Sequence, residues 1–283
     1  MRFSIVLSVQ PTRFEAVAFR GDFEENLARI AEMGYDGVEL AIRDPDRVDC
    51  SALRALLGRY GLAVPAIGTG QAWGEERLSF TDPDPTVRRA AVERVRAHLP
   101  FAAQVGAQIV IGLLRGVVRP GVAHRQAVDW MVEALRECAA AAATAGVRLC
   151  LEPLNRYETD LIHTVAEGLD LIERVGADNL GLLLDTFHMN IEEADMAAAI
   201  REAGDRLFHF HVADSNRRYP GAGHIDFGRL LGVLAEVGYD GFVSGEFLPW
   251  PDADIAAARA ISYLRSVAPS GDGGGTTVTS TSP

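Results

Sequence analysis

Short apolar runs alternate with amphipathic stretches along most of this chain, and the alternation constrains the fold more than any other feature. The runs have strand length, and the stretches between them carry apolar residues at the spacing of one helix face. Strands are predicted near residues 3–8, 37–42, 63–68, 108–113, 147–152, 180–185, 207–212 and 242–247. Because a helical pattern separates each strand from the next, we expect the strands to be parallel neighbours in one sheet.

The predicted helices are Asp22–Met33, Cys50–Tyr60, Thr86–Val105, Arg125–Ala145, Val165–Val175, Ala194–Ala203, Phe227–Val237 and Asp254–Val267. Eight strand–helix pairs are the number found in a closed (β/α)₈ TIM barrel, which commonly takes about 250 residues as one domain. We therefore predict an α/β fold with a single TIM-barrel domain over residues 1–268. Residues 269–283 are rich in Gly, Ser and Thr and lack apolar periodicity, which predicts a disordered tail.

A short sequence repeat supports the barrel. Residues Met33–Val38 and Val237–Phe242 share the order Gly-Tyr-Asp-Gly. Each copy is typical of a helix that ends at a glycine and turns into a strand a few residues later. The same helix-to-strand turn is therefore predicted at two places in the chain.

Four side chains that can bind metal ions stand at the ends of four successive predicted strands: Glu152, Asp185, His211 and Glu246. Taken singly, an acidic residue after a strand is often a cap for the next helix or a solvated loop residue. That interpretation gives no reason for the shared position at four neighbouring strand ends. Because carboxylates buried together need a countercharge, the pattern predicts a divalent metal ion among them.

Charge and cysteine content exclude several classes of protein. The chain has 27 basic and 39 acidic residues, and its net charge of -12 repels nucleic acids and anionic lipid surfaces. Cys50, Cys138 and Cys150 are isolated, so neither a disulfide framework nor a thiolate zinc site is predicted. The N-terminus lacks the features of a signal peptide, and no apolar run has the roughly 18 residues needed to cross a bilayer. We expect a cytoplasmic protein with no nucleic-acid or membrane partner.

Three segments around the candidate ligands resemble a known family. Leu151–Glu158, Leu184–Glu193 and His209–Arg217 are similar to the ketose 3-epimerase group of the xylose-isomerase-like TIM barrels. The resemblance implies a homodimer or homotetramer that acts on a small sugar. It implies that the metal ligands are Glu152, Asp185, His211 and Glu246, that Glu152 and Glu246 form the catalytic acid/base pair, and that Glu158, His188 and Arg217 contact the substrate.

The N-terminal half resembles a narrower branch of this group. Ile67–Ala72 and Ile111–Gly116 are similar to the 5-keto-L-gluconate epimerases. Gln71, in the first of these segments, is therefore a further candidate for binding the substrate. This branch implies a substrate of the 5-keto-L-gluconate or D-tagaturonate type.

The chemistry of the four candidate ligands agrees with epimerisation. Inverting a carbon next to a ketone requires a base on one face of the substrate and an acid on the other. Two carboxylates meet that need, and a metal ion chelating the ketone and its neighbouring hydroxyl would stabilise the enediolate. Three carboxylates and one imidazole are mostly hard donors, so we favour Mn²⁺, with Mg²⁺ or Co²⁺ as alternatives. His209 is expected to face the barrel interior beside the metal rather than to bind it.

Three arginines favour an acidic sugar as substrate. Arg43, Arg115 and Arg217 each follow a predicted strand, and guanidinium groups bind carboxylates in a bidentate manner. We therefore predict a keto-sugar acid. The alternative is that Arg43 pairs with Asp44 or Asp46 and that Arg115 is solvated, which would favour neutral ketoses such as D-tagatose or D-psicose (allulose).

Other functions remain open on sequence grounds. An aldose–ketose isomerase would use the same barrel and the same metal, and would differ only in the carbon that exchanges its proton. A DNA-repair endonuclease of this barrel type should carry a basic face and further histidine ligands, whereas this chain is acidic and has seven histidines. A sugar-binding protein without activity would have no need for paired carboxylates at a metal.

Overall fold

Eight parallel strands form a closed barrel in the computed structural model, which describes residues 1–269. The strands in chain order are β1 Arg2–Ser8, β2 Phe19–Arg20, β3 Gly37–Ala41, β4 Ala66–Gly68, β5 Gln108–Ile111, β6 Leu149–Leu151, β7 Leu180–Asp185, β8 Leu207–Val212 and β9 Phe242–Gly245. β1 pairs with both β3 and β9, which closes the ring, and β2 adds a short parallel pairing at the end of β1. The predicted (β/α)₈ barrel is confirmed.

Ten α-helices are described, and they are α1 Phe23–Glu32, α2 Cys50–Tyr60, α3 Gln71–Glu76, α4 Pro85–Val105, α5 His124–Thr144, α6 Val165–Val175, α7 Thr186–Glu192, α8 Met196–Ala203, α9 Phe227–Glu236 and α10 Ala253–Val267. The eight longest match the helices expected from the sequence. Helices α3 and α7 were not predicted, because elements of six and seven residues are too short to show helical periodicity.

The repeated turn is present at both predicted places. Gly34 follows α1 with φ +84°, and Gly238 follows α9 with φ +74°, a left-handed conformation in which glycine is favoured. The tyrosine after each glycine donates a hydrogen bond from its hydroxyl to a backbone carbonyl, Tyr35 to Ala257 and Tyr239 to Phe242. Each turn thus directs the chain from the outer helix layer into a barrel strand.

Alternate residues of β1 show how the barrel divides its apolar and polar faces. Phe3, Ile5 and Leu7 belong to the main hydrophobic cluster, which lies between the barrel and the helices. The intervening Ser4 and Ser8 are buried but polar, and they face the barrel interior. The interior near the carboxyl ends of the strands can therefore accept polar groups.

A β-bulge in β8 sets the register of the strands that carry two of the candidate ligands. Leu182 pairs with Leu207, but Leu183 pairs with His209, so Phe208 is left over. The Gln108 side-chain amide donates to the Phe208 carbonyl at 2.9 Å, and Gly181 leaves room for the Phe208 ring. The bulge places His211 directly opposite Asp185.

Gly181 should not tolerate a side chain. A Cβ at Gly181 would lie 2.5 Å from the Phe208 ring and 2.6 Å from the Arg206 carbonyl oxygen, so something must move. We expect Gly181→Ala to lower the free energy of unfolding by about 1–3 kcal/mol, as overpacked cores do. Chemical denaturation with circular dichroism measures this change.

Gly232→Ala is the matched control. Gly232 lies inside α9, and apart from its chain neighbours and the surrounding helix backbone no atom lies within 4 Å of a Cβ placed there. Alanine should therefore stabilise the protein by about 0.5–1 kcal/mol, since it reduces the entropy of the unfolded chain. Equal effects of the two substitutions would contradict the packing assigned to the bulge.

Two further sequence predictions concern the C-terminal tail and membrane-spanning helices. The predicted disordered tail, apart from residue 269, lies outside the described residues. Within residues 1–269, none of the helices combines the length and the apolar character required to cross a bilayer.

Candidate metal centre

The four candidate ligands meet at the carboxyl-terminal rim of the barrel. Glu152 follows β6, Asp185 ends β7, His211 is the penultimate residue of β8 and Glu246 follows β9. One ligand atom from each of the four residues lies within 4.8 Å of the others. The backbone N–H groups of Glu152 and Glu246 donate to neighbouring strands, so the ladder itself fixes where these two side chains begin. The structure thus brings together the four residues that the sequence singled out.

Asp185 has two contacts, one from each carboxylate oxygen. Oδ1 accepts a hydrogen bond from the Phe187 N–H at 2.7 Å and caps α7. Oδ2 lies 3.8 Å from Nδ1 of His211. Asp185 therefore caps a helix with one oxygen and faces the ligand cluster with the other.

Burial makes the cluster hard to charge without a cation. Desolvation raises the pKa of Glu152 well above its usual value, and the nearby Glu246 and Asp185 carboxyls add to the rise while His211 opposes it. Desolvation likewise raises the pKa of Glu246 to about 7, and it raises the pKa of Asp185. A positive partner would therefore favour the ionised form of each carboxylate.

The unpartnered atoms of the cluster fit a divalent metal ion. Oε1 of Glu152 and Nδ1 of His211 are buried, and neither makes a hydrogen bond within residues 1–269. Buried polar atoms without partners are costly, and a cation would satisfy both. Three carboxylates and an imidazole are the donors that hard or borderline divalent ions accept.

Glu39, which the sequence analysis missed, lies beside the cluster. Its Oε2 accepts hydrogen bonds from Nε2 of His209 at 2.8 Å and from Nε2 of His211 at 2.9 Å. Burial raises the pKa of Glu39, but the two imidazoles outweigh burial and hold the pKa below its usual range. The sequence did contain a signal, because glutamate is rarely buried inside an apolar strand unless it is paired. His209 lies in the interior and bonds to Glu39, and it is not one of the four residues of the ligand cluster.

A cavity of about 260 Å³ opens above the cluster. Its size suits a small metabolite. Of the predicted site residues, seven line it: Gln71, Glu152, Glu158, His188, His211, Arg217 and Glu246. Four unpredicted residues form an apolar wall, and they are Val6, Phe14, Val17 and Ala41.

His188 is held in one orientation by Asn155. Nδ1 of His188 lies 2.7 Å from Nδ2 of Asn155, whose Oδ1 accepts from the Tyr157 N–H. Because this amide group faces His188 with its N–H, Nδ1 of His188 is the acceptor and Nε2 carries the proton. Desolvation lowers the pKa of His188 far below its usual value, so the ring is neutral. His188 lies on α7, the short helix that Asp185 caps.

Arg217 and Glu158 form an ion pair at the wall of the cavity. Nη1 of Arg217 donates to Oε1 of Glu158 at 2.6 Å, and the Asn155 amide donates to the same oxygen. The Arg217 guanidinium lies over the rings of Phe14 and Phe187, at 5.4 Å and 4.7 Å from their centroids. The charge of Arg217 is thus already balanced by a carboxylate.

The structure places Arg43 and Arg115 away from the cavity lining. Nε of Arg43 lies 3.3 Å from Glu76, so its partner is neither Asp44 nor Asp46. Arg115 is fully buried rather than solvated, and it donates to the backbone carbonyls of Glu152 and Ile162. Burial lowers the pKa of Arg115 to about 10. The three arginines are therefore not gathered at the mouth as the sequence suggested.

Comparison with known proteins identifies the family. The model of the xylose isomerase-like TIM barrel family matches residues 27–267. The chain belongs to this family. It is 30% identical to the L-ribulose 3-epimerase of Methylomonas sp., over 90% of this chain and 98% of that protein. It is 31% identical to the 3-dehydro-D-guloside 4-epimerase of Escherichia coli, over 78% of this chain and 87% of that protein.

A solved structure agrees with these relatives. The crystal structure of the D-psicose 3-epimerase from Clostridium cellulolyticum H10 with D-tagatose superposes with a TM-score of 0.80 at 27% identity. The match covers 94% of this chain and 99% of that chain. Within the xylose isomerase-like barrels the chain groups with the ketose 3-epimerases, and it is an enzyme of the isomerase class.

The raised pKa values predict how the metal-free protein responds to pH. Between about pH 4.3, where an unfolded Glu titrates, and about pH 7, the folded protein keeps protons that the unfolded chain has lost. This stabilisation is complete below that window and is lost as the pH rises through it. We expect the unfolding temperature of the metal-free protein to fall by several degrees from about pH 5 to about pH 8.

Calorimetry at a series of pH values, with and without Mn²⁺, provides the measurement. Metal binding should strengthen over the same window, because the ligands must release their protons. Glu246→Gln removes one of the titrating carboxyls and should reduce the fall. A metal-free protein that becomes more stable as the pH rises would refute the charge assignment of this cluster.

Proposed function

We propose that this chain is a divalent-metal-dependent epimerase that inverts carbon 3 of neutral ketoses of the D-psicose, D-tagatose or L-ribulose type. The observation that carries the proposal is the pair Glu152 and Glu246, two carboxylates with ligand atoms within 4.8 Å in one cavity. Epimerisation needs such a pair, because a proton must leave one face of the substrate carbon and return to the other. The names of the relatives support a sugar substrate.

The charge of the cavity favours a neutral sugar. Five of the described lining residues are glutamates, and they are Glu39, Glu75, Glu152, Glu158 and Glu246. The two lining arginines are already paired, Arg217 with Glu158 and Arg13 with Glu75. Arg13 is exposed and its contact with Glu75 is 3.8 Å, but five carboxylates against two arginines still disfavour an anionic substrate, so a keto-sugar acid of the 5-keto-L-gluconate type is the second candidate.

In the proposed mechanism, Glu152 and Glu246 exchange the roles of base and acid. A divalent ion held by Glu152, Asp185, His211 and Glu246 would supply Lewis-acid polarisation to the substrate. One glutamate takes the proton from carbon 3, and the other returns a proton to the opposite face. His188 presents its Nε2–H, 3.8 Å from Oε1 of Glu152, where it can donate to a substrate oxygen. Positioned proton transfer of this kind contributes roughly 10²–10⁴ to the rate.

The other residues are assigned by their contacts. We assign Asp185 and His211, with the two catalytic glutamates, as metal ligands, and Glu158, Arg217 and Gln71 as substrate contacts on the cavity wall. Gln71 donates to the Ser8 hydroxyl at 2.8 Å, and its Oε1 makes no hydrogen bond within residues 1–269. This free amide oxygen can accept a hydrogen bond from a sugar hydroxyl.

Several finer assignments complete the proposal. Mn²⁺ is proposed as the native metal on the chemistry of the donors, with Mg²⁺ and Co²⁺ as alternatives. Residues 1–268 are proposed as one catalytic domain. A homodimer or homotetramer and a cytoplasmic location stay predictions from the sequence.

Glu246→Gln tests the acid/base pair. The amide keeps the shape of the side chain and can still approach a metal, but it cannot accept the substrate proton. We expect exchange of the carbon 3 proton to fall by at least about 10²-fold. Deuterium incorporation in D₂O, followed by NMR, measures the exchange. Glu236→Gln, on the exposed face of α9, is the control and should retain wild-type exchange; retained exchange in Glu246→Gln would reject its role.

A substrate panel tests the specificity. We expect metal-loaded protein to epimerise neutral ketoses at least about tenfold faster than keto-sugar acids, because the cavity is rich in carboxylates; a tenfold ratio is about 1.4 kcal/mol. NMR of the products identifies the carbon that is inverted. Faster turnover of keto-sugar acids would favour the second candidate, and formation of aldoses would show an isomerase instead.

A chelation experiment tests the alternative that the protein binds sugars without converting them. Removing metal should abolish turnover, and Mn²⁺ should restore it. Sugar binding that is unaffected by chelation, with no turnover of any sugar, would favour the binding protein.

A further inference from the structure

Glu39 is a buried carboxylate that the proposed mechanism does not use. It lies on β3, which is separated from β8 in the barrel by β1 and β9, and it is 2% exposed. Its side chain therefore crosses the barrel interior to reach two histidines that are 170 and 172 residues away in the sequence. A carboxylate in such a place must be stabilised by its partners.

The hydrogen bonds of Glu39 define which nitrogen of His211 carries a proton. Oε2 of Glu39 is an acceptor, so Nε2 of His211, at 2.9 Å, must donate. With Nε2 committed to Glu39, Nδ1 is the nitrogen that a metal ion would bind, in exchange for the proton that the raised pKa of His211 retains on the metal-free ring. Nδ1 is buried without a hydrogen-bond partner within residues 1–269 and lies 3.8 Å from Oδ2 of Asp185. Nδ1 thus belongs to the ligand cluster.

His209 restrains the same carboxylate from a second side. Its Nε2 lies 2.8 Å from Oε2 of Glu39, and its ring packs edge-on against that of His211 with centroids 5.2 Å apart. Two donors on one oxygen fix the position of the carboxylate better than one. Glu39 also lines the cavity, so its hydrogen bonds lie at the wall of the substrate site.

These contacts could instead be the ligands of a second ion, because Glu39, His209 and His211 also offer atoms within 4.8 Å of one another. Such an ion would need the lone pair of Nε2 on both histidines. Distances of 2.8 and 2.9 Å are those of charge-assisted hydrogen bonds between nitrogen and a carboxylate oxygen. The geometry therefore favours hydrogen bonds, and the number of ions bound per chain decides between the two.

We propose that Glu39, supported by His209, is a positioning residue that holds His211 in the tautomer and orientation required to bind the catalytic metal. This rests on the proposed function only in assuming a metal at the four-ligand cluster. It assigns to β3 a part in the site that the ligand residues, on β6 to β9, do not reveal.

Metal affinity of two Glu39 variants tests the proposal. Glu39→Leu leaves both Nε2–H groups without an acceptor, and Glu39→Gln keeps an acceptor oxygen but loses the charge. We expect Mn²⁺ to bind about 100-fold more weakly to the leucine variant and about 10-fold more weakly to the glutamine variant. Calorimetric titration of the metal-free full chain with Mn²⁺ measures the dissociation constants.

Glu75→Gln is the matched control. It removes one negative charge from a residue that lines the same cavity but pairs with Arg13 rather than with a ligand. We expect its dissociation constant for Mn²⁺ to stay within about twofold of wild type, well inside one tenfold step of 1.4 kcal/mol. An equal loss in Glu75→Gln and Glu39→Gln would attribute the effect to charge alone and overturn the proposal.

A spectroscopic readout separates positioning from general stability. The visible absorption of the Co²⁺-loaded protein reports the geometry of the ligands, so it should change in Glu39→Gln and not in Glu75→Gln. With saturating Mn²⁺, Glu39→Gln should lower kcat more than it raises KM. If Glu39→Leu does not fold, the Mn²⁺ affinity and the Co²⁺ spectrum of Glu39→Gln still test the positioning role of Glu39.

The remaining outcomes are distinct. Unchanged affinity and an unchanged Co²⁺ spectrum in Glu39→Gln would overturn the proposal, as would two Mn²⁺ ions per wild-type chain. Weaker metal binding by the Glu39 variants, together with no epimerisation of any ketose by wild type, would support the role of Glu39 and reject the proposed function.

Discussion

The need to neutralise buried carboxylates is the constraint on which the site depends. Glu152, Asp185 and Glu246 converge where water is largely excluded, and burial raises the pKa of all three. Arg217 pairs with Glu158 and Arg115 bonds to backbone carbonyls, and His211 offsets only part of the rise in these pKa values. A divalent cation held by these ligands would stabilise their ionised form and would be placed to act in the reaction.

The barrel meets this constraint through register. Each ligand stands at or next to the end of its strand, so pairing between neighbouring strands brings the four side chains to one height. The bulge at Phe208 is essential to this arrangement, because without the extra residue His211 would slip relative to Asp185. Glu39 then orients the imidazole of His211 by accepting a hydrogen bond from its Nε2, while Nδ1 faces the ligand cluster. Pairing between strands thus fixes the positions of the ligand residues, and the hydrogen bond from His211 to Glu39 fixes the orientation of the imidazole.

Sequence predicted the parts that depend on local pattern. Alternating runs gave the barrel, and strand ends gave Glu152, Asp185, His211 and Glu246, because parallel strands end at one edge. The contact of Glu39 with His211 spans 172 residues, and no local pattern encodes such a distance. The arginine argument failed for the same reason: a position after a strand does not say whether a side chain turns to the cavity, as Arg217 does, or inward to backbone carbonyls, as Arg115 does.

Asp185 connects the proposed metal ligands with the helix that carries His188. One of its carboxylate oxygens caps the N-terminus of the short helix that carries His188, and the other faces the ligand cluster. A cation that restrains this carboxylate would therefore also steady the helix from which His188 reaches toward the sugar. Thermodynamic reciprocity requires that a sugar gripped by that helix tighten the hold on the ion in return. Asp185 would in this way couple occupancy of the ligand cluster to the position of His188.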